Sequence, residues 1–294
     1  MISRTALTLL ALLILTACGK SDPPPEFAGP ASPALFEISA PGGGVEGWLF
    51  GTIHALPDGV EWRTERLDAA LESADLLVVE VRDLDDAEAL RRAFDDRAYA
   101  EGLPPIAHRV PGELRGVLRD LLAEHAVPAD TLSRMETWAA ALTLAQYAKS
   151  GKATNGVDRA LLREMPPARV VELEGMGPQL DIFDTLPETE QRDLLASVIA
   201  DIAVQGDRPA GHAANWYSGE IAHLADPATS AILADPELRA ALHGDRNRAW
   251  AERLGAMLSA APRPFVAVGA AHIAGEDGLA ALLAERGYSL RRIQ

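Results

Sequence analysis

A chain of 294 residues with 27 basic against 43 acidic side chains carries a formal net charge of −16. That balance excludes nucleic acid as a partner, because phosphates would be repelled and no basic stripe offers local relief. It equally excludes charge-driven attachment to an anionic membrane, and a single cysteine excludes an intramolecular disulfide.

The chain opens as a processing signal over residues 1–17. Arg4 supplies positive charge, and Ala6 to Leu15 is an apolar run of about half the twenty residues needed to cross a hydrocarbon core. The run ends in Leu15-Thr16-Ala17-Cys18, which resembles the lipobox of bacterial lipoproteins and assigns Cys18 as the lipidated residue. The predicted address is therefore the bacterial cell envelope, lipid-anchored and facing the periplasm. The absence of aspartate at position 19 favours the outer membrane. Residues 18–33, including Pro23-Pro24-Pro25, have the Pro, Ser and Gly content of a flexible tether. Residues 34–294 are left as one domain large enough to bury a sizeable core.

Within that domain four short apolar runs predict buried strands: Gly47 to Phe50, Leu76 to Val81, Arg169 to Leu173 and Phe265 to Val268. Edge strands are predicted at Ala34 to Ser39 and Tyr288 to Ile293. Helices are predicted over Thr64–Ser73, Asp86–Asp96, Pro111–His125, Ser133–Lys149, Val157–Glu164, Glu188–Gln205, Pro209–Ala225, Pro236–Ala260 and Gly278–Arg286. Alternation of strands and helices makes this an α/β protein with a largely parallel or mixed central sheet. Its helix-rich middle section would lie over the sheet or beside it. The two ends echo one another as strand, loop, helix, strand.

Both echoing units carry the same signature. Trp48-Leu49-Phe50 runs into Gly51-Thr52-Ile53-His54, and Phe265-Val266-Ala267-Val268 runs into Gly269-Ala270-Ala271-His272. A glycine closing a strand, Gly51 or Gly269, permits close backbone approach and lets the loop aim a histidine at the carboxyl edge of the sheet. Two such loops in a chain with seven histidines predict a shared site rather than two unrelated surface residues. Glu80 closes the second strand and Glu174 follows the third. Each is costly to bury unless paired or metal-bound. If the Glu80 strand lies beside the Trp48 strand, Glu80 and His54 emerge together. Gln179 falls in a Gly/Pro-containing loop just beyond Glu174.

Two histidines and one or two carboxylates suit a divalent metal ion with open positions for water, with zinc, manganese and cobalt all compatible. His54, Glu80 and His272 form the predicted ligand set, and a glutamate off the metal would serve as general base. The alternative is a non-catalytic lipoprotein that binds a metal complex, haem or a peptide in the same cleft. Asp158 follows Gly156 at a helix start and reads as a residue complementing the helix dipole. No H-E-x-x-H helix and no G-x-S-x-G elbow occurs, which excludes a zincin and weakens a serine esterase.

These elements together resemble the TraB/GumN family in the same order: Trp48 to His54, Leu77 to Glu80, Asn155-Gly156-Val157-Asp158, Val171 to Glu174 with Gln179-Leu180, Arg246-Asn247 with Trp250, and Val266 to His272. The resemblance spans Trp48 to Ile293. It implies kinship with Tiki-type metal-dependent proteases and, more distantly, with erythromycin esterase-like and haem- or iron-binding lipoprotein folds. It thereby implies a peptide or small-molecule substrate. It also marks Arg246 and Asn247 as a family pair, Arg246 steadying a carboxylate or an oxyanion and Asn247 orienting a ligand. A capping and salt-bridge role explains the same pair equally well.

Overall fold

The computed structural model describes residues 27, 29–147, 151–205, 211–259 and 262–294. The predicted signal, Cys18 and most of the predicted tether lie outside them. Six strands, β1 (Leu35–Ser39), β2 (Val45–Thr52), β3 (Leu76–Val79), β4 (Val170–Glu172), β5 (Pro264–Gly269) and β6 (Ser289–Arg292), form one sheet in the order β4-β3-β5-β2-β1-β6. β2, β3, β4 and β5 run parallel, while β1 is antiparallel to both of its neighbours. The protein is therefore α/β with a mixed sheet.

β5 lies inside the sheet between β3 and β2, and Phe265, Val266, Ala267 and Val268 are all fully buried, as befits a strand covered on both faces. At about 1.5–3 kcal/mol for each large apolar side chain removed from water, this strand anchors the sheet. Its place corrects one expectation. β3 pairs with β5 and not with β2, so the Glu80 strand is separated from the His54 strand by the strand that carries His272.

The echoing end units are interlocked crossovers. β2 passes through the helix Glu65–Ser73 to β3, skipping over β5, and β5 passes through the helix Leu279–Glu285 to β6, skipping over β2 and β1. Thr64 starts the first of these helices, its hydroxyl accepting from Leu67 N at 3.2 Å, with Glu65 and Asp68 in the first turn complementing the dipole.

The middle section builds a second hydrophobic cluster of its own, around Trp138, Leu195 and Ile199. Several predicted helices are broken for identifiable reasons. The stretch from Pro209 divides into Gly211–Ser218 and Ile221–Leu224 because Gly219 adopts φ +79°, where a Cβ would meet the Ser32 carbonyl at 2.3 Å. The stretch from Ser133 begins as a helix only at Thr137, ends at Ala145 and has its predicted end outside the described residues. The stretch from Pro236 is interrupted by a π turn, Ala240–Gly244, before the helix Asp245–Leu258. Conversely, the segment read as a loop around Gln179 is a helix, Met176–Asp184, entered through Gly175 at φ +90°. Pro178 is tolerated there because first-turn N–H groups have no helical partner.

Several of the described residues preceding β1 are packed. Phe27 is buried edge-on against Tyr217, Ser32 N donates to the Tyr217 carbonyl at 2.8 Å, and the Pro33 carbonyl accepts from Gln294 Nε2 at 3.1 Å. Among the described residues no helix is long and apolar enough to cross a membrane.

Candidate functional site

Four parallel strands end at one edge of the sheet, and each delivers a polar side chain within three residues of its end. β2 delivers His54, β3 Glu80, β4 Glu174 and β5 His272. Thr52 and Gly269 are register partners on β2 and β5, so the two histidine loops are neighbours although they come from opposite ends of the chain. The glycines make this possible by closeness between loops. A Cβ on Gly51 would lie 3.0 Å from the Ala270 side chain, and one on Gly269 would lie 3.3 Å from Glu80 Oε1.

The helix Asp245–Leu258 supplies the cation. Arg246 Nε donates to Glu174 Oε1 at 2.8 Å, and Nη2 donates to Glu174 Oε2 at 3.0 Å and to Glu80 Oε2 at 2.9 Å. Nη1 donates to the Leu242 carbonyl at 3.0 Å and to His272 Nε2 at 3.2 Å. All five guanidinium N–H groups are therefore satisfied by protein, and the guanidinium lies 4.6 Å over the Trp250 ring. Burial alone would lower the Arg246 pKa, but Glu174 and Glu80 raise it above its ordinary value. Arg246 steadies the protein's own carboxylates and has no donor left for a substrate oxyanion.

Glu80 is equally engaged. Its Oε1 accepts from Gly269 N at 2.7 Å, and its Oε2 accepts from Arg246 and, at 3.3 Å, from Gln179 Nε2. Gln179 thus reaches the site from the first turn of its helix. The turn after β4 is tied to the same place, because Glu174 N and Gly175 N both donate to the Glu80 carbonyl at 3.1 Å.

Each histidine is held through Nδ1. His54 Nδ1 lies 2.8 Å from Asp158 Oδ2, and Thr52 Oγ1 donates to Asp158 Oδ1 at 2.5 Å. Burial pushes the Asp158 carboxyl up, but the His54 and Thr52 contacts outweigh it and hold the pKa below the usual carboxylate range. Asp158 is 6% exposed, so its place in the first helical turn understates its role. A carboxylate can only accept, so a proton sits on His54 Nδ1. His272 Nδ1 lies 2.7 Å from Asn247 Oδ1, which leaves the lone pair on Nε2. Burial, with the nearby Arg246, His243 and His54, pushes the His272 pKa well below its ordinary value. His54 by contrast has a side chain that is 63% exposed.

An imidazole whose other nitrogen is fixed by a carboxylate or amide oxygen is the usual form of a metal-bound histidine, but His272 Nε2 already accepts from Arg246 Nη1 at 3.2 Å, so an ion on both Nε2 atoms would have to displace that contact. Glu80 retains lone-pair capacity on Oε1, alongside its contacts to Arg246, Gln179 and Gly269. The ligand atoms of His54, Glu80 and His272 do not close to within 4.8 Å of one another. Among the described residues the group that does is Glu190, Asp235 and Glu237 in the helical section.

The sequence reading gives Asp158, in Asn155-Gly156-Val157-Asp158, a helix-dipole role and passes over His243. His243, buried and stacked on His272 with centroids 4.7 Å apart and planes 11° apart, carried no signal beyond lying four residues before Asn247.

An α/β domain with paired histidines and an arginine-bridged carboxylate pair at the carboxyl edge of four parallel strands is the class of protein that these features define. A family model for TraB/PrgY/gumN matches residues 34–292, and the chain belongs to that family. No curated protein and no solved structure matches the chain.

Proposed function

We propose that this protein is a metal-dependent hydrolase of peptide bonds, held at the bacterial envelope through a lipid on Cys18. The observation that carries the reading is the shared edge of β2 and β5, which brings His54 and His272, each with Nδ1 held by a side-chain oxygen, to neighbouring loops. His54 and His272, with Glu80, would hold the ion once Arg246 Nη1 gave up its bond to His272 Nε2, and the ion would acidify a water and polarise a carbonyl. Asp158 and Asn247 keep the two imidazoles in the ligating tautomer. Glu174 bonds Arg246 through both oxygens and keeps lone pairs to take a proton from an attacking water. Arg246 holds Glu80 and Glu174 apart in fixed positions, and Trp250 covers it from the apolar side.

The test compares detergent-solubilised full-length protein with His54→Ala and His272→Ala, each first shown to be folded by circular dichroism. Metal content and cleavage of a mixed peptide library, read by mass spectrometry, should both fall in the variants. Equal metal content and equal cleavage in all three proteins would overturn the reading.

A further inference from the structure

We infer that the histidine edge of the sheet is held toward the bilayer that anchors the protein, and that the site takes peptide segments borne by that bilayer. The inference rests on the proposed lipid at Cys18 and, for the substrate, on the proposed hydrolysis. Its structural ground is the direction of β1. That strand is antiparallel to β2, with Leu35 opposite Phe50 and Ser39 opposite Val45, so the chain enters β1 at the end where β2 delivers His54. The Ala34 carbonyl accepts from Gly51 N at 3.0 Å, which ties the entering chain to the glycine that opens the first histidine loop. The helix Gly211–Ser218 holds both. Trp216 Nε1 donates to the Gly51 carbonyl at 2.8 Å. Its neighbour Tyr217 takes the approaching chain at three points: the carbonyl accepts from Ser32 N at 2.8 Å, the hydroxyl donates to the Gly29 carbonyl at 2.8 Å, and the ring meets Phe27 edge-on at 5.3 Å. Phe27, 3% exposed, is thereby fixed beside the histidine edge.

Chain length turns this placement into an orientation. Nine peptide steps separate Phe27 from Cys18, and fully extended they span about 30 Å at most. A domain of about 260 residues has a radius of gyration of about 18 Å and hence a diameter of about 45 Å. Standing with the opposite edge down would put Phe27 a whole domain's thickness above the lipid, which is farther than the nine steps reach. The net charge of −16 opposes direct contact with an anionic surface, so the edge faces the bilayer across a gap. A peptide carried by the same bilayer then meets the site at an effective concentration on the order of millimolar, an advantage that a freely diffusing peptide does not have.

Cys18 is the only cysteine, so once it carries lipid a single introduced cysteine takes a fluorophore at one place. Glu276 is exposed in the loop after His272, and Glu72 is exposed in the last turn of the helix Glu65–Ser73, at the opposite edge. Lipidated Glu276→Cys and Glu72→Cys are labelled and placed on the outside of phosphatidylcholine vesicles that carry a headgroup acceptor. Energy transfer should be higher from position 276 than from position 72. Inserting about sixty Gly and Ser residues between Cys18 and Phe27, with a span of about 45 Å, should erase the difference. Without the insertion, a mixed peptide library anchored to the vesicles by an acyl chain should be cleaved faster than the same library free in solution. Equal transfer from the two positions, or higher transfer from 72, would overturn the placement, and equal cleavage of anchored and free peptides would overturn the substrate assignment. Protein that does not float with the vesicles defeats the lipid reading and the placement with it. Higher transfer from 276 in a protein that cleaves neither library supports the placement while defeating the hydrolase reading.

Discussion

Arg246 grips Glu174 with two parallel bonds, Nε to Oε1 at 2.8 Å and Nη2 to Oε2 at 3.0 Å, and the same guanidinium reaches Glu80 and His272. Side chains of all three ion partners are within about a tenth of full burial. Removing one member of a buried ion cluster strands the others. Arg246→Ala should therefore cost about 3–5 kcal/mol in urea unfolding at neutral pH. Arg246→Lys should be destabilised less, since an ammonium keeps the charge but not the fork. An Arg246→Ala protein as stable as wild type would show that the carboxylates do not depend on the guanidinium.

Asp158→Asn preserves shape and removes the charge that holds His54 Nδ1 and the Thr52 hydroxyl. Zinc affinity should fall about 10–100-fold, the usual effect of losing an outer-shell partner, with the far-ultraviolet spectrum unchanged. Competition against a chromophoric chelator reads this directly, and wild-type affinity would exclude Asp158 from the site.

Gly156 has an ordinary backbone conformation, yet a Cβ there would meet the His54 carbonyl at 2.5 Å and the Ala153 carbonyl at 3.0 Å. Gly156→Ala should lower stability by about 1–3 kcal/mol, the range for overpacking, and displace His54, so that thermal stability and metal binding fall together. Gly116, in the helix Arg115–Glu124, is the control, because a Cβ there would meet nothing within 4 Å. Its replacement by alanine should gain up to about 1 kcal/mol.

The convergence of the polar side chains is legible because strands announce themselves by apolar runs and their ends by Gly51, Gly269, Glu80 and Glu174. Strand order is not legible, because nothing local tells Leu76-Leu77-Val78-Val79 whether its neighbour is β2 or β5. Asp158 is hidden by an adequate local explanation, the helix dipole. His243 is hidden because a π turn shifts the helical period by one residue, and periodicity read from an alanine- and leucine-rich stretch does not resolve that shift. The Gln179 segment looks like a loop because Gly175, Gly177 and Pro178 are turn formers elsewhere, whereas here they occupy a helix entrance.

Glu136 provides a pH test remote from the histidines. Burial pushes its carboxyl up, Asp184 and Glu188 add to the rise, and contacts with Gln191 and Arg109 oppose it, leaving the pKa above the ordinary 4.5. A carboxyl whose folded pKa lies above its unfolded value contributes stability below the unfolded pKa, and that contribution is lost as pH rises through the folded one. Glu136→Gln, fixed in the neutral form, should therefore melt higher than wild type at about pH 7, with the difference vanishing near about pH 4. A constant difference at both pH values would assign the effect to packing.

The pairing of Thr52 with Gly269 also has a consequence in time. Half of the histidine pair is made early in synthesis and the other half near its end, and the crossover from β5 to β6 has still to be laid down after His272. Contacts this distant in sequence form late and slowly. A chain still emerging from the ribosome or crossing a membrane thus carries His54 without its counterpart, and no fragment lacking either end can assemble the pair. Whatever needs both histidines is confined to finished, released molecules.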